Sequence, residues 1–340
     1  MTGIQEIARE TGLSKSTVSR ALRGLPSVTA ETTNTVRRAA DRLGYIPSSA
    51  AAGLATGRNR TIGVLVPVIE RWFYIAVLEG IDAELRKAGY DLILYSLGGP
   101  VGDRDRFFHR SILRKRIDAL VVLCLLFDDE EREQLHQMDL PVVVVGGPGP
   151  GVRHVGIDDR KAARAAVEHL IELGHRRIAH IGGEDELGMN RAVPVERRTG
   201  YREALDDAGI AARDDWTVDG EFSFDGGHRA MQTILSSAEP LPTAVFAASD
   251  EMALGAMAAI ADAGLRVPQD LSVIGIDGHQ YGAAMGLTTI AQHPYEQGVE
   301  ATRALLAELE GAPTLDDFPA APFELVVRRS TAAPPDGGRT

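Results

Sequence analysis

Two domains of different class are predicted: a small all-α head, and behind it a larger α/β body of two lobes built on parallel sheets. Three observations predict this. Residues 4–43 place apolar side chains at helical spacing and contain no strand-like run. From Thr61 onward, short β-branched apolar runs alternate with amphipathic stretches, the pattern of parallel sheets covered by helices. That alternation comes as two successive series, before and after Asp158, which implies two similar lobes with a cleft between them.

In the head, Ile4, Ile7 and Ala8 define a first amphipathic helix ending near Gly12, a residue that tolerates the left-handed turn. Ser14 can cap a second helix through its hydroxyl and the N–H of Ser16 or Thr17. Val18, Ala21 and Leu22 form its buried stripe, leaving Lys15, Ser16, Ser19 and Arg20 on the outer surface near its start. Two short helices across a tight turn, the second opening on donor side chains, make a helix-turn-helix whose second helix suits the DNA major groove. Arg20 can bridge guanine O6 and N7, Lys15 or Ser16 can reach a neighbouring base edge, and Thr17 and Ser19 suit phosphate oxygens. The plain alternative is a solvated helical hairpin of an unrelated core. Residues 24–27 break the pattern, and Thr29 caps a third helix running through Val36, Ala39, Ala40 and Leu43 to Gly44.

The segment 47–58 admits two readings. Its small residues make a flexible linker, or it is a hinge of one or two helical turns, too short to be stable alone, that folds on DNA and presents Leu54 as an apolar wedge in the minor groove. In the body, TIGVLVP, DLILYS, ALVVLCLL and PVVVVGG read as four buried strands, with helices near 73–88, 103–115 and 128–138. The second series runs helix 161–173, strand RRIAHIGG, helix 197–208, a shorter strand 217–221, helix 226–235, strand TAVFAAS, helix 251–263 and strand LSVIGID. Ligands in such sheets sit beyond the strand C-terminal ends.

Composition narrows the class. The 340 residues, 44% hydrophobic and 25% charged, are those of a globular protein with two or three cores. The N-terminus has no apolar signal segment, and no stretch approaches the roughly 18 apolar residues of a membrane span, so a cytoplasmic protein is expected. Cys124, the single cysteine, sits in an apolar run and reads as packed rather than reactive. Net charge is −12, but residues 1–60 hold nine Lys/Arg against four acids, a net +5 that leaves −17 to the rest. A basic head on an acidic body suits a protein whose head meets phosphates.

The phrases IQEIARETGLSKSTVSRAL, LGYIPSSAAAGLATGR, HLIELGHRRIAHIGG, ERRTGYREAL, TAVFAASDEMALGAM, VPQDLSVIGIDG and GLTTIAQ occur in the order in which similar ones occur in lactose-repressor (LacI/GalR-type) bacterial transcription regulators, and the chain resembles that family over nearly its whole length. The resemblance implies a homodimeric repressor that reads a near-palindromic double-stranded DNA operator. It also implies a periplasmic-binding-protein-like effector domain that responds allosterically to a small molecule, commonly a sugar. By position, Lys15, Ser16 and Arg20 take base-reading places and Leu54 the hinge leucine; the hinge departs from the usual pattern at Ser48, Ala52 and Ala55, which implies weaker phosphate anchorage there. For the effector, the resemblance points to Trp72 and Phe73 after the first strand, Arg197, Phe222, the pair Ser249 and Asp250, and Asp277. Such a set suits a polyol: acids accept from hydroxyls, Arg donates, and an aromatic face covers C–H groups. Arg197 with Asp277 as a structural ion pair, and Trp72 packed in a lobe interface, are the plain alternatives. Gly278 stands where a second polar residue is usual, which leaves the ligand's identity open.

The implied organisation is a head at 1–46, a hinge at 47–58, an effector and dimerisation domain at 59–330, and a disordered tail at 331–340. Within the effector domain the N-lobe is expected at about 59–158 plus 290–318 and the C-lobe at about 159–289 plus 319–330. No cofactor, metal or catalytic residue is expected: the nine histidines show no zinc spacing, GGPGPG has two prolines without N–H donors, and no nucleophile elbow occurs. Two competing readings use the same scaffold. A solute-binding protein would need export, and a sugar-converting enzyme would need an acid/base pair or nucleophile in the cleft.

Overall fold

The computed structural model describes residues 3–22, 27–45, 58–98, 107, 116–137, 140–147, 152–183, 192–237, 240–313 and 318–335. The expected hinge with Leu54 and nearly all of the expected helix 103–115 lie outside these residues. The chain separates into two compact units, Met1–Arg60 and Thr61–Thr340.

The first unit is three helices, α1 (Ile4–Thr11), α2 (Lys15–Leu22) and α3 (Ala30–Arg42). Gly12 ends α1 in the left-handed conformation at φ 69°, and the Ser14 hydroxyl accepts from the Thr17 N–H at 3.1 Å to open α2. Thr29 caps α3 by accepting from the Thr32 N–H at 3.3 Å. Ile7, Val18, Ala21, Val36 and Ala39 are sealed from solvent at the centre. Arg42 donates from both Nε and Nη2 to Glu10 Oε1, at 3.0 and 2.6 Å, and ties α3 to α1 at the surface.

The second unit holds two sheets. The first lobe contains β1 (Thr61–Val66), α4 (Trp72–Ala88), β2 (Asp91–Ser96), β3 (Ala119–Leu123), α5 (Asp129–Gln137), β4 (Val142–Val145) and β5 (His154–Val155). Its strands pair in parallel in the order β2-β1-β3-β4-β5. The second lobe contains α6 (Asp159–Glu172), β6 (Ile178–Gly182), α7 (Ala192–Asp207), β7 (Thr217–Asp219), α8 (Phe224–Ser237), β8 (Ala244–Ala247), α9 (Asp250–Asp262), β9 (Ser272–Asp277), α10 (Gln280–Met285) and β10 (Thr288–Ala291). The chain then returns to the first lobe as α11 (Pro294–Leu309) and ends in the second as β11 (Glu324–Val326). The second sheet runs β11-β10-β9-β8-β6-β7, parallel except for β11.

Strands covered on both faces read as unbroken apolar runs. β1 sends Ile62, Val64 and Val66 toward α4 and α11, and Leu65 toward Leu120, Val122 and Phe127 on the other face. In the second lobe Val245 and Ala247 pack toward α8 and α9, while Ala244 and Phe246 pack toward α6 and α7.

Several expectations change. β2 is an edge strand, half-exposed rather than buried, because nothing pairs with its outer side among the described residues. α7 begins five residues before Arg197 and carries Pro194 in its first turn, where a missing N–H does no harm. β5, β10, β11 and the long α11 were not anticipated. The tail expected to be disordered from residue 331 is anchored at its start: Ala332 donates its N–H to Ser272 Oγ at 3.0 Å, and the Ala332 carbonyl lies 2.8 Å from His175 Nε2.

Helix pairs in this unit approach so closely that side chains are excluded. A Cβ on Gly80 of α4 would stand 2.1 Å from the Tyr295 carbonyl oxygen, and one on Gly298 of α11 would stand 2.3 Å from that of Val77. Gly298→Ala therefore forces α11 off α4 and is expected to cost about 1–3 kcal/mol in urea unfolding. An unchanged midpoint would mean that the helices do not pack at this distance.

Candidate functional site

On α2, Lys15, Ser16 and Arg20 are exposed, Thr17 and Ser19 are half-buried, and Val18 and Ala21 face the core. The outer surface at the start of the helix is thus made of donors. Lys15 Nζ donates to Gln5 Oε1 of α1 at 2.9 Å, so the neighbouring helix orients it. The Ser16 hydroxyl lies 2.8 Å from that of Ser14.

The second candidate lies between the lobes, at the C-terminal ends of β1, β3 and β4 on one side and β7, β8 and β9 on the other. A cavity there is walled by Phe73 and Tyr74 of α4, Cys124, Gly146, Phe222 and Pro194, with a polar floor of Asp159, Arg197, Asp277 and Gln292. Arg71, Ser249 and Glu251 complete the polar lining.

Arg197 is the centre of that floor. Its Nε and Nη2 each stand 2.8 Å from Asp159 Oδ1, its Nη1 donates to the Ala248 carbonyl, and Asp277 Oδ1 lies 3.9 Å from Nη1. All three charged side chains are buried. Asp277 Oδ1 also accepts from Gln292 Nε2 at 2.5 Å. Removal from water raises the Asp159 carboxyl above its usual range against the pull of Arg197, and raises Asp277 in the same way. Burial, with Asp277 nearby, pushes Glu251 up to about 7.

The sequence-selected residues divide. Phe73, Arg197, Phe222, Ser249 and Asp277 line the cavity. Ser249 is also the N-cap of α9, accepting from the Met252 N–H at 3.3 Å. Trp72 instead lines a neighbouring groove, its ring 4.5 Å from that of His279 and tilted by 31°. Asp250 lies fully buried beneath the floor, accepting from the His279 N–H and the Thr289 hydroxyl, both at 2.7 Å. It pegs α9 to β10 and to the turn after β9. Arg71, Asp159, Glu251 and Gln292 were missed. Each follows or flanks a strand end, a signal that was available, but nothing in the residue order says that Asp159 meets Arg197.

Backbone strain gathers at the same place. Of six described non-glycine residues with positive φ, Cys124, Phe222 and Asp277 line the cavity, and Glu221 and His293 border it, leaving Arg60 apart. Such conformations persist where surrounding structure over-determines them, as at ligand sites.

A helix-turn-helix head joined to a two-lobe α/β domain defines a DNA-binding transcriptional regulator. Residues 3–48 match bacterial regulatory proteins of the lacI family, and residues 167–331 match a periplasmic binding protein-like domain. The chain is 33% identical to catabolite control protein A of Priestia megaterium, over 96% of this chain and 98% of that protein. It is 36% identical to the transcriptional repressor CytR of Escherichia coli strain K12, over 98% and 97%. Among solved structures it resembles the lac repressor dimer bound to operator and the anti-inducer ONPF, with a TM-score of 0.84, 26% identity, and 98% and 99% of the two chains covered. It also resembles the transcriptional regulator CelR–cellobiose complex, with a TM-score of 0.71, 30% identity, and 97% and 100% covered. The chain belongs to the lacI family of bacterial regulatory proteins, and these relatives are regulators rather than enzymes.

The raised carboxyls make a pH prediction. A buried carboxyl whose folded-state proton affinity is raised favours folding most when protonated, and that contribution fades as pH rises through its folded pKa. For Glu251 the fading ends near 7, and Asp159 and Asp277 act in the same direction. The melting temperature is therefore expected to rise as pH is lowered from about 8 to about 6.5. Below that, histidines held neutral by burial act in the opposite direction, with His180 lowered to about 4. Asp277→Asn should shrink the difference between those two pH values; a wild-type melting temperature that falls over this interval would contradict the assignment.

Proposed function

We propose that this regulator is a repressor that acts as a cytoplasmic homodimer on a near-palindromic operator, and that a neutral polyol, a sugar, bound between its lobes sets operator affinity. In this reading Lys15, Ser16 and Arg20 read base edges, Thr17 and Ser19 meet phosphates, and Leu54 enters the minor groove. The effector contacts Phe73, Arg197, Phe222, Ser249 and Asp277, to which the cavity adds Asp159 and Gln292.

One observation carries the effector reading: aromatic side chains from the two lobes, Phe73 and Phe222, wall a cavity whose floor pairs a guanidinium with two carboxylates. Aromatic faces cover the C–H side of a sugar ring, acids accept from its hydroxyls, and Arg donates to its oxygens. A strongly anionic ligand would meet Asp159, Glu251 and Asp277 against Arg71 and Arg197. The cellobiose complex of the similar regulator CelR supports the same class, and the operator-bound dimer of the lac repressor supports the assembly. A ligand with different affinity for open and closed lobe arrangements shifts their populations, and with them the separation of two heads.

Fluorescence anisotropy on a genomic fragment selected by the protein itself provides the test. Arg20→Ala is expected to weaken binding at least about tenfold and to relax sequence preference at one position of each half-site. A sugar that stabilises the protein in a thermal screen should change operator affinity, and Asp277→Asn should abolish that response while leaving operator binding in place. Binding curves that ignore every stabilising sugar would overturn the effector reading, and an Arg20→Ala protein with unchanged affinity and preference would overturn the base-reading assignment.

A further inference from the structure

Helix α4 of the first lobe begins without an acceptor of its own. Its N-cap is Arg71, whose side chain makes no capping bond, and its first turn contains no acid. The opening N–H groups of a helix have no partner within the helix and need one from elsewhere. The Trp72 N–H finds it across the cleft, in Glu251 Oε2 of α9, at 3.4 Å. Two more contacts join the same short segment to separate parts of the second lobe. The Trp72 ring lies 4.5 Å from the ring of His279 in the turn after β9, and Arg71 Nη2 donates to the Glu221 carbonyl after β7 at 2.9 Å.

We propose that Arg71 and Trp72 form an interlobe latch in which Glu251 caps α4 in trans, so that the chain's own contacts hold the lobes closed. The three partners stand on separate parts of the second lobe, the first turn of α9, the turn after β9 and the turn after β7, so the segment is held at three points. Opening the cleft uncaps α4, separates the two rings and releases Arg71 together. A carboxylate at a helix N-terminus also gains from the helix dipole, so Glu251 favours the arrangement that brings it to α4. Glu251 is a positioning residue here: it acts on the lobe equilibrium through α4. This goes beyond the effector reading and needs neither sugar nor DNA.

The chain has two tryptophans, so Trp216→Phe leaves Trp72 as the only one and makes its emission a direct report on the latch. Acrylamide quenching and small-angle scattering of the full chain are then compared among Glu251 variants in that background. Glu251→Ala is expected to raise the open-to-closed ratio about fivefold, the equilibrium equivalent of a lost helix cap, with stronger quenching of Trp72 and a larger radius of gyration. Glu251→Gln keeps an acceptor oxygen and should restore most of the protection. If Trp216→Phe does not fold, the difference between wild type and Trp72→Phe gives the same signal, and scattering requires no tryptophan. If Glu251→Ala does not fold, Arg71→Ala tests the third contact, with the same expected direction. Folded variants at Glu251 and Arg71 with wild-type quenching and scattering would overturn the latch, as would a Gln variant as open as the Ala one. Both readouts are taken on the protein without sugar, so the latch stands or falls on them whatever sugar binding does, although Arg71 and Glu251 also line the cavity.

Discussion

The buried guanidinium of Arg197 is the interaction around which the two-lobe unit is arranged. Asp159, which grips it, is the first residue of α6, where the chain enters the second lobe. Asp277 ends β9, and its partner Gln292 lies where the chain leaves that lobe. Gln292 is held in turn by Gln297 of α11, which donates to its carbonyl at 2.6 Å. A continuous polar chain therefore links the first two of the chain's three crossings between the lobes. Breaking a buried ion pair by removing one partner costs about 3–5 kcal/mol, because the other charge stays desolvated. The floor is held in place by that cost, and the aromatic walls stand on it.

The same floor is unbalanced in charge. Two carboxylates share one guanidinium, and Glu251 adds a third acid above them. Burial raises all three carboxyls, so each favours a proton or a donor hydroxyl over water withheld. In the proposed effector reading, a ligand rich in hydroxyls supplies such donors. The strained backbone at Cys124, Phe222 and Asp277 belongs to the same economy, since the packed strands behind these residues hold their positions.

The head works on different physics. Three short helices bury Ile7, Val18, Val36 and Ala39 and keep the start of α2 for solvent, and α1 steadies Lys15 through Gln5. Its positive charge against an acidic remainder favours approach of the head to phosphates. The head depends on local structure and surface charge, and the cavity between the lobes depends on contacts between residues far apart in the chain.

That difference explains what was legible. The helix-turn-helix, the cap at Ser14 and the alternation of buried strands and helices followed from short-range patterns, because periodicity and capping are local, whereas Arg197 was pointed to by the family resemblance. The resemblance pointed to Asp250 as a ligand contact, yet it is buried with Thr289 and His279 as partners. Trp72 has the same local credentials as Phe73 one position later, and a helix turns successive residues by about 100°, so one faces the cavity and the other His279. The sequence by itself determined the two domain classes, the second helix of the helix-turn-helix and the strand ends that border the cavity, since each is encoded within a dozen neighbouring residues. Only the tertiary structure decided that Asp159 holds Arg197 and that Glu251 caps a helix of the other lobe, because those pairings join residues brought together by the chain's crossings between lobes.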